Sequence, residues 1–222
     1  MQNVILSNNN EQEFGEVCEA VASSLSKNSY AIIDNFIPAD QVVKIRRFMN
    51  RIYSHGEFKR AGVGPTRNAQ INSDVRRDFI RWVDPPKTFP VTTLLTERLK
   101  KLMQYINKSC FLGLKDLEMH YAIYPQGAFY KRHLDQFKTK GHRRISFVCY
   151  LNDEWSIKDG GLLRMYHKNP DGIEIPFDIV PLPGRLVSFR SDTIEHEVLP
   201  CNRKRYSLTG WMLDQINELS FL

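Results

Sequence analysis

The sequence predicts an α+β fold, with N-terminal helices buttressing one face of a β-barrel, and three observations carry that reading. Up to about residue 115 the longer segments repeat their apolar residues at helical spacing. From residue 117 onward, short β-rich segments follow at regular intervals, separated by Gly, Pro, Asn and Asp. Helices first and strands second is the order of segregated layers. No internal repeat or low-complexity linker divides the 222 residues, a length that buries a proper core without staples, so 1–222 reads as one domain. It would have a helical and lid portion over about 1–115 and a β-barrel core over about 116–213.

Phe14, Val17, Cys18, Val21 and Leu25 form one apolar face of a first helix. YAIIDNF, residues 30–36, is a short β-branched run and reads as a strand. Asp40 is placed to cap a second helix, with Val42, Val43, Ile45 and Phe48 on its apolar side. Residues 59–77 (KRAGVGPTRNAQINSDVRR) are polar, contain Gly62, Gly64 and Pro65, and have no period, which predicts a long loop of the kind that serves as a lid. DFIRWV, residues 78–83, leaves that loop as a strand. A third helix follows Pro90, with Leu94, Leu95, Leu99, Leu102, Met103 and Ile106 on one face. LEMHYAIYP, RISFVCYLN, GLLRMYH, IEIPFDIVPL, RLVSFRS, HEVLP and RYSLTGWML then supply the strands of a sandwich or barrel.

Composition narrows the class. With 42% hydrophobic and 25% charged residues the chain is that of a globular protein outside the membrane, and no apolar run approaches the length of a span. MQNVILSNNNEQEF lacks the basic and apolar regions of a signal peptide. Cys18, Cys110, Cys149 and Cys201 are far apart with no CxxC pair, so they read as reduced, half-buried thiols in a cytoplasmic protein. A net charge of +6 favours an acidic partner, although an ordinary solvated surface accounts for it as well. No G-x-S-x-G elbow is present, and AGVGPTR lacks the third glycine and the strand–helix setting of a dinucleotide site.

The chemistry starts in YKRHLDQFKTK, residues 130–140. Side chains at i and i+2 of an extended strand share a face, so His133 and Asp135 could grip one ion. The pattern is cheap: His55 with Glu57 repeats it at an expected helix end and reads as surface. His196 in SDTIEHEVLP raises its value, because two histidines and one carboxylate, with two ligands close and the third far along the chain, match the facial triad of non-haem iron(II) enzymes. A structural zinc would want thiolates instead. Nine residues after His196, Arg205 opens the apolar strand RYSLTGWML. A guanidinium there would be a costly unpaired charge unless it met an anionic co-substrate, which it could hold through two hydrogen bonds.

On these segments the sequence resembles the 2-oxoglutarate- and Fe(II)-dependent oxygenases, in particular prolyl 4-hydroxylases of the hypoxia-inducible-factor type and their bacterial relatives. AIYPQGAFYKRHLD is similar to their Tyr-Pro … Tyr-x-x-His-x-Asp stretch, and CYLNDEW and DGGLLRMY to Tyr-Leu-Asn … Trp and Gly-Gly-x-Leu-Arg. HEVLPCNRKRYSLTGWM is similar to His-Glu-Val … Arg-Tyr-x-x-Thr-x-Trp, and VRRDFIRWV to Arg-x-Asp-x-Ile-x-Trp. The resemblance covers roughly residues 28–213, with these motifs in the family's order. It implies a double-stranded β-helix (a jelly-roll, cupin-like barrel) and three cofactors: Fe(II), 2-oxoglutarate and O2, with ascorbate as a reductant. His133, Asp135 and His196 would ligate the iron, and Arg205 would pair with the far carboxylate of 2-oxoglutarate, helped by the hydroxyls of Tyr150 and Thr209. Tyr124 would stand near iron and co-substrate, and Arg76 and Asp78 would anchor the loop. Tyr130 and Trp211 match aromatic pocket positions, though as core aromatics they need no further role.

The implied reaction is hydroxylation of a prolyl residue in a protein, coupled to decarboxylation of 2-oxoglutarate to succinate. A carboxylate at 135 fills the position that a halogenating relative leaves for chloride. Arg60, Arg67, Arg76, Arg77, Arg81, Lys131, Arg132, Lys138, Lys140, Arg143 and Arg144 lie in segments near the expected mouth, which suits an acidic protein segment. Bacterial members of the family point to a translation factor such as elongation factor Tu. Oxidative demethylation of nucleic acid, or hydroxylation of a free amino acid, uses the same iron site. The demethylases carry a second arginine six residues after the first, where this chain has Trp211, so nucleic acid is not the expected partner. A monomer or weak dimer is expected.

Overall fold

The computed structural model describes residues 11–64, 70–83, 90–136, 141–169 and 171–216. Helix α1 (Glu11–Asn28) buries Val17, Cys18, Val21 and Leu25, as their spacing predicts. Strand β1 (Tyr30–Ile33) is shorter than the apolar run 30–36. Asn35, at φ +56°, turns the chain out of the sheet, and Phe36 and Ile37 return to the core beyond the turn. Helix α2 (Ala39–Ser54) begins one residue before Asp40. Pro38 takes the capping place with no side-chain hydrogen bond, while Asp40 sits in the first turn and accepts from Lys44 at 2.8 Å. The acid therefore serves the helix through its charge near the N-terminus rather than as a cap.

The stretch 59–77 is not a loop throughout. It opens as β2 (Lys59–Arg60), which pairs with β3 (Phe79–Trp82), and Val63 and Gln70 form an isolated bridge. A two-residue edge strand with both side chains exposed leaves no period to read. Helix α3 (Pro90–Cys110) buries Leu95, Leu99, Leu102 and Ile106, while Leu94 faces solvent.

The remaining strands are β4 (Asp116–Tyr124), β5 (Tyr130–His133), β6 (Arg143–Tyr150), β7 (Leu163–Lys168), β8 (Glu174–Ile179), β9 (Leu186–Arg190), β10 (Glu195–Val198) and β11 (Arg205–Leu213). They form a seven-stranded sheet in the order β1-β9-β6-β11-β4-β3-β2 and a four-stranded sheet β5-β10-β7-β8, with antiparallel pairing throughout. This is the double-stranded β-helix architecture, with three α-helices against one side.

Parity along the central strands places the two cores. Met119, Tyr121 and Ile123 of β4, Ile145, Phe147 and Cys149 of β6, and Tyr206, Leu208 and Met212 of β11 join the cluster that includes the three helices. Their alternates, Ala122 and Tyr124 of β4 and Val148 and Tyr150 of β6, pack with Leu163 and Met165 of β7 and Val198 of β10 between the sheets. Central strands are thus buried on both faces, so they read as continuous apolar runs. On β11 the parity turns Arg205, Thr209 and Trp211 toward the space between the sheets, where all three line one cavity. Among the described residues no helix is long and apolar enough to cross a membrane.

Candidate active site

A cavity of about 1040 Å³ opens between the sheets. Its lining includes His133, Asp135, His196, Arg205, Thr209, Tyr124, Tyr130, Trp211 and Arg76. Ligand-competent atoms of His133, Asp135 and His196 all lie within 4.8 Å of one another. His133 and His196 are direct partners across β5 and β10. Strand β5 ends at His133, so Asp135 sits in the bend that follows it rather than on the same strand.

The protons on these rings can be assigned from their neighbours. Nδ1 of His133 lies 2.7 Å from the Lys131 carbonyl, and Nδ1 of His196 lies 3.3 Å from the Ile194 carbonyl. A carbonyl only accepts, so each Nδ1 carries a hydrogen, which leaves Nε2 as the atom that can bind a ligand. The two Nε2 atoms face the carboxylate of Asp135, at 3.5 Å from Oδ1 for His133 and 3.6 Å from Oδ2 for His196. Burial, reinforced by His133, pushes His196 down to about 4, so its ring is neutral at pH 7. Burial would raise the Asp135 carboxyl, but the two imidazoles and the Ser146 hydroxyl outweigh it and hold the group well below the usual carboxylate range. Two imidazole nitrogens and a carboxylate thus converge within 4.8 Å, an arrangement that suits a cation. Two imidazoles and a carboxylate without thiolate suit Fe(II).

Asp135 is oriented from the other sheet. Ser146 of β6 donates to Oδ2 at 2.7 Å, and the Ser191 hydroxyl, 2.8 Å away, then has Ser146 as its acceptor. Both serines are buried. The sequence reading missed them, although Ser146 shares parity with Val148 and Tyr150.

Arg205, 1% exposed, lines the same cavity. Its guanidinium carbon stands 4.9 Å from the ring centroids of both Tyr124 and Tyr150. Among the described residues it forms no ion pair, and its Nε and the Tyr150 hydroxyl have no hydrogen-bond partner. Burial raises the phenols of Tyr124 and Tyr150, so both remain donors at neutral pH. A buried cation with unspent donors and no counter-charge fits an anion. Thr209 stands on the same face of β11, with its hydroxyl 3.3 Å from that of Ser207.

The loop base is tied to the metal end. Arg76 holds both oxygens of Asp78, at 2.8 and 2.7 Å, and lies 4.1 Å over the Tyr130 ring. Trp211 forms a wall with Trp82 and His120, whose rings lie 6.3 and 5.6 Å from it. His120 is a second residue the sequence reading missed: it is buried, lines the cavity, and burial pushes it down to about 4.

The basic mouth is narrower than the sequence suggests. Arg67, Lys138 and Lys140 lie outside the described residues. Arg132 and Arg144 spend their charge on Glu174, Glu195 and Asp214, and Arg77 donates to the Ser73 carbonyl. Of the cations lining the cavity, Arg76, Arg81 and Arg143 pair with Asp78, Glu57 and Glu118, while Lys59 and Arg60 form no ion pair among the described residues. His55 is exposed and bonds to the Arg51 carbonyl, away from the triad, as its reading as surface implies. Cys18, Cys149 and Cys201 are fully buried rather than half-buried, and only Cys110 is partly exposed.

Residues 119–213, which hold the triad and Arg205, match the model of the 2OG-Fe(II) oxygenase superfamily. The chain is 38% identical to a prolyl-4-hydroxylase from Pseudomonas putida, with a TM-score of 0.79, covering 90% of this chain and 100% of that one. A prolyl hydroxylase from Trichoplax adhaerens, solved with a peptide fragment of the hypoxia inducible factor oxygen degradation domain, is 27% identical with a TM-score of 0.79 and 91% of each chain covered. Hypoxia-inducible factor prolyl hydroxylase of Caenorhabditis elegans is 31% identical over 90% of this chain, which spans 28% of that protein's length. With the fold, the clustered His133, Asp135 and His196 and the unspent arginine in agreement with the match over the whole of the bacterial chain, this chain belongs to the 2OG-Fe(II) oxygenase superfamily, whose cofactors are Fe(II), 2-oxoglutarate and O2.

Proposed function

We propose that the protein hydroxylates a prolyl residue in a protein substrate: one atom of O2 enters the C–H bond as hydroxyl, the other enters succinate, and 2-oxoglutarate loses CO2. The observation that carries this reading is the presence in one cavity of two convergent imidazoles and a carboxylate together with a buried Arg205 that forms no ion pair among the described residues. His133, Asp135 and His196 would hold Fe(II), which supplies the redox chemistry when bound. The protein's own part is positioning. Asp135 is aimed by Ser146, and each imidazole is oriented by its Nδ1 hydrogen bond, which turns Nε2 toward the cation position. Arg205 would take the far carboxylate of 2-oxoglutarate through its fork, with the Tyr150 hydroxyl as a further donor and Thr209 beside it. Tyr124 closes the other side of that guanidinium and stands between the anion end and the triad.

The substrate would enter past β2 and β3, where the Trp82–His120–Trp211 wall offers an apolar seat and Arg143 lies 3.5 Å over the Trp211 ring. Lys59 and Arg60 at the rim favour an acidic segment around the proline. Arg76 and Asp78 would fix the base of the segment that covers the site. The names of the bacterial and animal relatives support proline as the target, and a translation factor such as elongation factor Tu is the first protein to test.

The test is mass spectrometry of the host's proteins with and without this chain, together with succinate formation by the purified enzyme. Gain of one oxygen on a proline, lost in both Asp135→Ala and Arg205→Ala, is the expected result. Oxidation confined to nucleic acid or to free amino acids, or succinate formation unchanged in both variants, would end the assignment.

A further inference from the structure

The four-stranded sheet carries both histidines, on two strands whose mutual pairing is short. β5 is an edge strand of four residues. It meets β10 at only two aligned pairs, His133 with His196 and Tyr130 with Val198, and the register shifts between them. Lys131 and Arg132 oppose the single residue Glu197, which is a β-bulge. The bulge lets Tyr130 and His133, three residues apart, both face the cavity, where an unbroken strand would turn one of them out. A short, bulged edge strand specifies its own register poorly, yet metal ligands must be held within about half an ångström.

Arg132 lies inside the bulge and faces outward. It donates to both oxygens of Glu174 on β8, at 2.8 and 2.6 Å, and also to the carboxylate of Glu195 on β10. Its guanidinium carbon stands 3.7 Å over the ring of Tyr166 on β7, and the Tyr166 hydroxyl donates to Glu197 of β10 at 2.5 Å. One side chain thus touches all the other strands of its sheet. Arg132 and Glu195 are the immediate neighbours of His133 and His196, so this ion pair ties the two imidazole-bearing backbones together from the outer surface.

We infer that Arg132 is a positioning residue: its clasp on Glu195 and Glu174 holds His133 opposite His196 and thereby sets the affinity of the triad for its cation. The inference rests on the reading of His133, Asp135 and His196 as a cation site. A lone exposed ion pair would contribute little. This one is forked, stacked and shared between two acids, and it acts where the pairing of β5 with β10 is bulged, on the side away from the Arg76–Tyr130 bridge and the Lys131 amide's bond to the Val75 carbonyl.

The experiment titrates the full-length metal-free chain with Mn(II), a redox-silent probe that accepts the same nitrogen and oxygen ligands, by calorimetry and by the electron paramagnetic resonance of free Mn(II). Arg132→Met is expected to weaken binding about ten-fold at low salt, with Arg132→Lys intermediate because an ammonium cannot fork. The gap between native and Arg132→Met should close near 1 M NaCl, where the screening length falls to about 3 Å. Lys44→Met, which breaks the exposed Lys44–Asp40 pair on helix α2, away from the four-stranded sheet, should bind as the native chain does. If Arg132→Met fails to fold, Glu195→Gln carries the test. Equal affinity of the clasp variant and the native chain, or a loss that persists in full at high salt, overturns the inference while leaving the triad intact. No Mn(II) binding by the native chain overturns the triad reading itself and the clasp with it.

Discussion

The Tyr130 ring is stacked on the imidazole of His133, with centroids 3.7 Å apart and planes 19° from parallel. Arg76 stands 4.1 Å from the same Tyr130 centroid, and two flat groups that close to one ring cannot share a face. The phenol is therefore held between the loop-base arginine and the imidazole. Asp78, 1% exposed and bound to Arg76 through both oxygens, completes the line. Asp78→Asn would leave the guanidinium buried without its counter-charge. A loss of about 3 kcal/mol in urea denaturation is expected, together with weaker Mn(II) binding, because Tyr130 loses its support.

Arg205→Lys keeps the charge but loses the fork. The KM for 2-oxoglutarate is expected to rise about ten-fold with a smaller change in kcat, read from succinate formation. Tyr150→Phe, which removes one uncharged donor, should act in the same direction and more weakly.

Gly161 has φ +61°, and a Cβ there would come within 2.8 Å of Cys201 Sγ and 2.9 Å of Arg205 Cδ. Gly161→Ala is therefore expected to displace the buried arginine as well as strain the backbone. About 1–3 kcal/mol of stability should be lost, and the 2-oxoglutarate requirement should rise as it does in Arg205→Lys. Thermal unfolding and steady-state kinetics measure the two effects separately.

His120 gives a pH signature. Burial depresses its pKa from 6.5 to about 4, so below pH 6.5 the unfolded chain binds a proton that the folded chain refuses. Its contribution is fully present above about 6.5 and is lost as pH falls toward 4, to the extent of about 3 kcal/mol. His196 shifts in the same direction. His120→Gln in the metal-free protein should therefore flatten about half of the stability loss between pH 6.5 and 4 in denaturant titrations.

The residues of the triad and Arg205 were legible because their types and order restrict the chemistry, and the strands were legible from their apolar runs. The face each strand would turn inward was also within reach. His120 shares parity with Ala122 and Tyr124, and Ser146 with Val148 and Tyr150, so both could have been placed at the cavity by counting in twos from the tyrosines. The bulge in β5 was not legible, because it is a relation between Lys131–Arg132 and Glu197, which are far apart in sequence. For the same reason the basic residues at 132 and 144 looked available for a partner, while the fold had already matched them to distant acids.

Arg205 and the paired imidazoles stand on different sheets: Arg205 on β11 of the larger, His133 and His196 on β5 and β10 of the smaller. On the proposed reading, the gap between the layers would gauge the length of the co-substrate. A keto-diacid one carbon shorter than 2-oxoglutarate is then expected to bind more weakly. Any change that lets the layers part, even in the apolar filling far from the polar groups, would alter which acid the enzyme accepts before it altered how fast the enzyme works.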